Sequence, residues 1–212
     1  CMRMHVIGTQ ENLIMKRWSS FGQKMVFGFG NAIHEWGQNE VDLFGENRIG
    51  WWKCTACAKV VYFGGPPKRK CHYCGAKPSA LRYKEHFLNL GGDYPVTGHP
   101  DMFIRKDPLI RVVELKTIND ADFQKLIAPL IDHVWQIQTY MWGINRSQLP
   151  IEVDKQLGYV LYLSKKWSKN YFPAKMFPVI RDEKLIGRMN KKLASYRKGV
   201  LDYPRSLPDP VP

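Results

Sequence analysis

GHPDMFIRKDPLIRVVELKT, Gly98 to Thr117, places Asp101, Glu114 and Lys116 on two runs that read as short strands joined by a turn. Side chains alternate faces along a strand, so Glu114 and Lys116 share one side while Val113 and Leu115 take the other. If the two runs pair across Arg105 to Leu109, Asp101 arrives close to Glu114. Two carboxylates at one point are tolerable with a divalent cation between them. Phosphodiester hydrolysis needs such a group: carboxylate-held Mg²⁺ neutralises the phosphate, lowers the pKa of an attacking water and stabilises the departing oxygen. Lys116 would orient that water or offset charge in the transition state. An E-x-K triplet alone is commonplace on surface strands, so the reading depends on its company.

The rest of the chain bounds what that company can be. At 212 residues it is long enough for one compact domain with a small appended module. A hydrophobic fraction of 44% and a charged fraction of 24% are those of a folded globular protein and argue against disorder. The 32 Lys and Arg against 19 Asp and Glu give a net charge of +13, which favours a polyanionic partner through counterion release. No window approaches a membrane span, and no secretion signal opens the chain. The expectation is a soluble, intracellular, cytoplasmic protein, in the host cytoplasm if the source is viral. An opening at Cys1 with no initiator Met leaves room for residues ahead of it.

Along the chain, apolar recurrence predicts two helices between Thr9 and about Trp36, the second ending near Gly37. Strand-like runs follow at Leu81 to Leu90, Tyr94 to Ile104 and Ile110 to Lys116, read together as an antiparallel meander. Pro129 opens a helix that continues to about Asn145, GYVLYL (Gly158 to Leu163) reads as a buried strand, and Tyr171 to Ile180 as another. A last helix runs from about Asp182 to Tyr196. The organisation expected is a helical part at 1–50, an inserted module at 51–79 standing apart from the main core, and a core of sheet and helices at 80–212.

The insert carries Cys54-x2-Cys57 and Cys71-x2-Cys74, separated by a Gly-Gly-Pro-Pro reversal. Each C-x-x-C turn presents two sulfurs to one ion, and four thiolates suit Zn²⁺. Disulfides are disfavoured without a secretion signal, and an iron–sulfur cluster is the sharper competitor. His72 would crowd Cys71 as a ligand and reads as surface. Lys68, Arg69 and Lys70 flank the site as candidate nucleic-acid contacts, or as a solvated loop.

Taken in order, the motifs resemble the PD-(D/E)XK nuclease signature, with Pro100-Asp101 as its first half and Glu114-x-Lys116 as its second. Gly30-Asn-Ala-Ile-His34-Glu35 is similar to the G-x-x-x-H-E helix of the RecB-like branch, and Gln136-Ile-Gln-Thr-Tyr140 to its Q-x-x-x-Y helix. Gln136 and Tyr140 are one helical turn apart, with His133 on nearly the same face, a polar stripe opposed to the apolar one. The resemblance covers about Gly30 to Ile180 with the cysteine module as an insertion. It implies an α/β (α+β) restriction-endonuclease-like core, a central mixed sheet flanked by helices, and Mg²⁺- or Mn²⁺-dependent DNA cleavage, often exonucleolytic, in recombination, repair or phage DNA metabolism.

By the same resemblance His34, Asp101, Glu114 and the Leu115 carbonyl would hold the catalytic metal, Lys116 would activate or position water, and Gln136 and Tyr140 would position the scissile strand or Lys116. Relatives that hold an iron–sulfur cluster use one early cysteine and three late ones. No cysteine follows Cys74, so that cluster cannot form here, and Cys1 reads as a remnant. The partners expected are DNA and a helicase, annealing or other DNA-processing protein. A structure-specific endonuclease and a non-catalytic zinc-containing docking module on the same fold are the rival readings. Glu35 is weighed as a further metal contact, Glu85 as a residue at the site entrance, and Trp51, Trp52, Tyr83 and Trp167 as stacking or packing aromatics.

Overall fold

The computed structural model describes residues 28, 30–37, 44–89, 97–106, 108–144, 149, 151–166 and 173–202. The helix expected from Thr9, together with Cys1, Tyr94, Asn145, Trp167 and Tyr171, lies outside that set.

Two adjacent strands, β7 (Leu109–Ile118) and β8 (Leu157–Ser164), form the middle of a mixed sheet and run parallel from Val113↔Tyr159 to Ile118↔Ser164. β8 is buried along nearly its whole length, as expected of a strand covered on both faces. β6 (Met102–Lys106) forms an antiparallel hairpin with β7, and β9 (Ala174–Ile180) closes the far edge antiparallel to β8. β1 (Arg48–Cys54) lies beyond β6 and also carries β2 (Val60–Gly64) and β3 (Leu81–Lys84). A separate small ladder pairs β4 (Leu88–Asn89) with β5 (Thr97–Gly98). The expected single meander is therefore three pairings: β3 turns back to β1, β4 joins β5, and β6 joins β7.

Helices cover the sheet. α1 (30–37) precedes it, α2 (Asp120–Lys125) and α3 (Ile131–Ile144) make the parallel crossover from β7 to β8, and α4 (Glu183–Asp202) follows β9. One sheet face buries Phe103, Val112, Val160 and Tyr162 beneath Ile137, Tyr140 and Met141 of α3. From Ile137 onward α3 is buried on every side, so of the polar stripe Tyr140 is buried while His133 and Gln136 are half-buried. α4 is the reason: Ile186, Met189 and Leu193 pack on Trp142, and buried Gln138 spans to the Ile180 carbonyl (2.7 Å) and the Asp182 amide (3.0 Å). Asp182 caps α4 by accepting from the amides of Lys184 and Leu185.

The opposite face buries Met102, Ile104, Val113, Leu115, Leu161 and Leu163 with Trp52, Cys54, Cys71, Leu81 and Tyr83. The cysteine module expected to stand apart thus shares a core with the sheet. β1 is continuous through the join: Arg48 and Ile49 pair with β6, and Trp51 to Cys54 pair with β3. A segment this short cannot bury enough apolar surface for a core of its own, and its aromatics complete the neighbouring one.

Candidate functional site

The β6–β7 register sets the first cluster. Met102 pairs with Val113, so Asp101 stands one step further along, opposite Glu114 and on its face. Beyond Met102 the β7 backbone loses its β6 partner, and Asp101 Oδ2 fills the gap by accepting from the Leu115 amide at 2.6 Å. Glu114 Oε1 receives Lys116 Nζ at 2.5 Å, as alternation along the strand allows. On the other side, α1 begins against β7, where an added Cβ at Gly30 would lie 3.8 Å from Thr117 Oγ1. That placement brings His34 Nδ1 to 3.5 Å from Asp101 Oδ1.

Burial is uneven across the cluster: the Glu114 side chain is 2% exposed, whereas Lys116 retains 22% and His34 26%. Solvent therefore reaches the site past the lysine and the histidine, with the acids at its floor. Glu114 Oε2 is buried with no hydrogen-bond donor among the described residues. Burial raises the Glu114 pKa well above the ordinary carboxylate range, the charge of Asp101 adds to that, and Lys116 pulls the other way. His34, Asp101 and Glu114 bring an imidazole nitrogen and two carboxylates together at this point.

α3 contributes through two contacts. Gln136 Nε2 donates to Tyr140 Oη (2.8 Å), and Tyr140 Oη donates to the His99 carbonyl (3.0 Å), two residues before Asp101. Gln136 and Tyr140 thus brace the segment that delivers Asp101, and neither has a hydrogen bond to Lys116 among the described residues. His133 is the residue within electrostatic reach of Lys116. Burial and then that ammonium depress its pKa to about 4, so it is neutral at pH 7. Tyr162 Oη accepts from the Leu130 amide (2.9 Å) and shares a hydrogen bond of 2.6 Å with His133 Nδ1, which fixes the ring. Tyr162 was not singled out from sequence; the parallel register that sets it beside Lys116 is the missing signal.

Of the remaining candidates, Glu35 is exposed, and Glu85 is half-buried with a charge that reaches Tyr83 and Tyr140 together with that of Asp101. Trp52 and Tyr83 are core, with the Arg48 guanidinium 5.0 Å from the Trp52 ring centre. Trp51 is half-buried between Phe63 and His86. Lys68, Arg69 and Lys70 are exposed, with Lys68 paired to Glu46 at 2.5 Å.

The second cluster is the cysteine module. All four sulfurs lie within 4.8 Å of one another, with Cys54 to Cys74 at 3.7 Å and Cys57 to Cys71 at 3.8 Å. A tetrahedron of thiolates about 2.3 Å from a central Zn²⁺ has edges of about 3.8 Å, so the four can hold a zinc ion. Each knuckle places a left-handed residue directly after its second cysteine, Ala58 at φ 60° and Gly75 at φ 72°. Reversals close both turns, from the Cys54 amide to the Lys59 carbonyl (2.9 Å) and from the Cys71 amide to the Ala76 carbonyl (2.8 Å). The Cys57 amide directed at the Cys54 sulfur outweighs burial and brings that thiol down to about 7, favouring the thiolate a metal needs. His72 is exposed, its ring tilted against Tyr73 with the centres 3.9 Å apart.

No described helix is long and apolar enough to cross a membrane. No family model and no curated protein matches the chain. Among solved structures, the crystal structure of SSO0001 aligns with 59% of this chain at 22% identity and a TM-score of 0.32, and this chain spans 59% of that one.

Proposed function

We propose that the protein is a metal-dependent deoxyribonuclease of the PD-(D/E)XK kind, RecB-like in its motifs and exonucleolytic in its action on DNA. The observation that carries the reading is the buried Glu114 carboxylate, opposite Asp101 in register and 2.5 Å from Lys116, with Oε2 left without a donor among the described residues. A structural acid buried to this depth would have both oxygens satisfied. The order of sheet elements, an antiparallel hairpin followed by a parallel helical crossover, is compatible with a restriction-endonuclease-like core.

His34, Asp101 and Glu114 would hold a Mg²⁺ or Mn²⁺ ion. The Leu115 carbonyl would join them, because a strand residue directs its N–H and C=O to the same side and the Leu115 N–H meets Asp101. When bound, the ion neutralises phosphate charge and lowers the pKa of its water. Lys116, the solvent-facing member, orients the attacking water and offsets charge on the phosphate oxygens. His133, neutral at pH 7, sits close to Lys116 without competing with it as a cation. Gln136 and Tyr140 act as positioning residues by holding the backbone ahead of Asp101.

The test is cleavage of end-labelled linear and covalently closed circular DNA with Mg²⁺, Mn²⁺ or EDTA. The expected result is metal-dependent loss of linear DNA alone, reduced at least about a thousandfold by Glu114→Ala. Loss of closed circles would move the reading to an endonuclease. Binding without cutting in every metal would leave a zinc-containing docking module.

A further inference from the structure

A second surface of the molecule begins at the mouth of the carboxylate site. Leu88 pairs with Gly98, so Phe87 and His99 stand opposite each other one step beyond that ladder. Their rings lie 5.2 Å apart. Phe87 is 49% exposed and His99 is exposed as well. The His99 carbonyl is the group anchored by Tyr140, so this aromatic pair is fixed two residues from Asp101.

The surface continues toward the cysteine module. His86 accepts from Trp51 Nε1 at 2.8 Å. Trp51 lies opposite Lys84, and Lys53 lies opposite Arg82, all on the face of β1 and β3 turned away from Trp52 and Tyr83. Lys53, Arg82 and Lys84 are exposed, and neither Lys53 nor Lys84 forms an ion pair among the described residues. Exposed basic side chains gathered on one face attract a polyanion.

We propose that unpaired DNA reaches the carboxylate site over Phe87 and His99, with a base stacked on that pair and phosphates following Lys84, Arg82 and Lys53. The path rests on the nuclease reading for its direction. An exposed ring pair selects single strands, because a base inside a duplex offers no free face.

Binding is measurable without cleavage, by fluorescence anisotropy in EDTA with labelled oligothymidylate and a blunt duplex of the same length. Phe87→Ala should weaken oligothymidylate binding about fivefold to a hundredfold and leave duplex binding unchanged. Phe87→Leu, which keeps apolar bulk without a ring, should show the same loss while its zinc content matches wild type. Lys53→Ala with Lys84→Ala should lower the slope of log affinity against log salt by about 1.4, the contribution of two single-strand phosphates. Lys191→Ala with Lys192→Ala, exposed on α4, is the charge-matched control. Wild-type affinity in the Phe87 variants, preference for duplex, or an equal slope change in the control would overturn the path. A flat series overturns it even where cleavage is robust, and absent cleavage overturns the nuclease reading even where the series behaves as expected.

Discussion

The cysteine cluster and the carboxylate cluster both gather ionisable groups at one point, yet they are built in opposite ways. The sulfurs come from two knuckles only 20 positions apart between Cys54 and Cys74, each closed by its own backbone hydrogen bonds. The carboxylate site draws His34 from α1, Asp101 from the approach to β6 and Glu114 from β7, held at one point by sheet register. A locally built site is a source of order for its surroundings. A site built by the sheet is maintained by that sheet at an electrostatic cost. Removing a ligand from the first should therefore destabilise the fold, and removing an acid from the second should relieve it.

The largest effect should come from Cys71→Ser. Cys71 is 2% exposed and buried with Leu115 and Leu161, so loss of zinc is expected to reach the main sheet. Metal analysis and thermal unfolding should show zinc absent and stability reduced by more than about 5 kcal/mol in one cooperative transition. A variant whose sheet melts as in wild type would break the idea that module and sheet share a core. Glu114→Gln should go the other way, raising stability in EDTA at pH 8 by about 1–2 kcal/mol in urea unfolding, because a desolvated carboxylate facing Asp101 is removed. A loss of stability would mean that the pair with Lys116 outweighs the burial.

His133 sharpens the contrast through pH. Its folded pKa lies near 4 against 6.5 for a free imidazole, so the unfolded chain takes up a proton first as pH falls. Stability from this ring is present above pH 6.5 and is lost as pH drops toward 4. Allowing for a half-buried ring, wild type should lose about 1 kcal/mol more than His133→Gln between pH 7 and pH 4.5. Equal losses would mean that neither burial nor Lys116 depresses the ring. The smallest effect belongs to Ala58→Gly, which removes the strain of an alanine at φ 60° and should add up to about 1 kcal/mol of zinc-loaded stability by thermal unfolding. No gain would show the knuckle relaxing around its metal.

What could be read from the chain follows the same division. The C-x-x-C pairs brought their sulfurs together because a turn of a few residues fixes its own geometry. Alternation put Glu114 and Lys116 on one side of β7, and the turn between Arg105 and Leu109 brought Asp101 opposite, all from adjacent residues. Helical spacing joined Gln136 to Tyr140, but their hydrogen bond ends on the His99 carbonyl, a partner from another element. The burial of α3 on all sides came from α4, and the shared core beneath the cysteine module came from β1 running on into the sheet. Tyr162 owes its place beside Lys116 to the parallel register of two strands distant in sequence. Local stereochemistry is set by the chain itself, so the sequence determined the motifs and their immediate shape. Contacts between distant segments depend on which apolar faces pack together, and only the tertiary structure decided those.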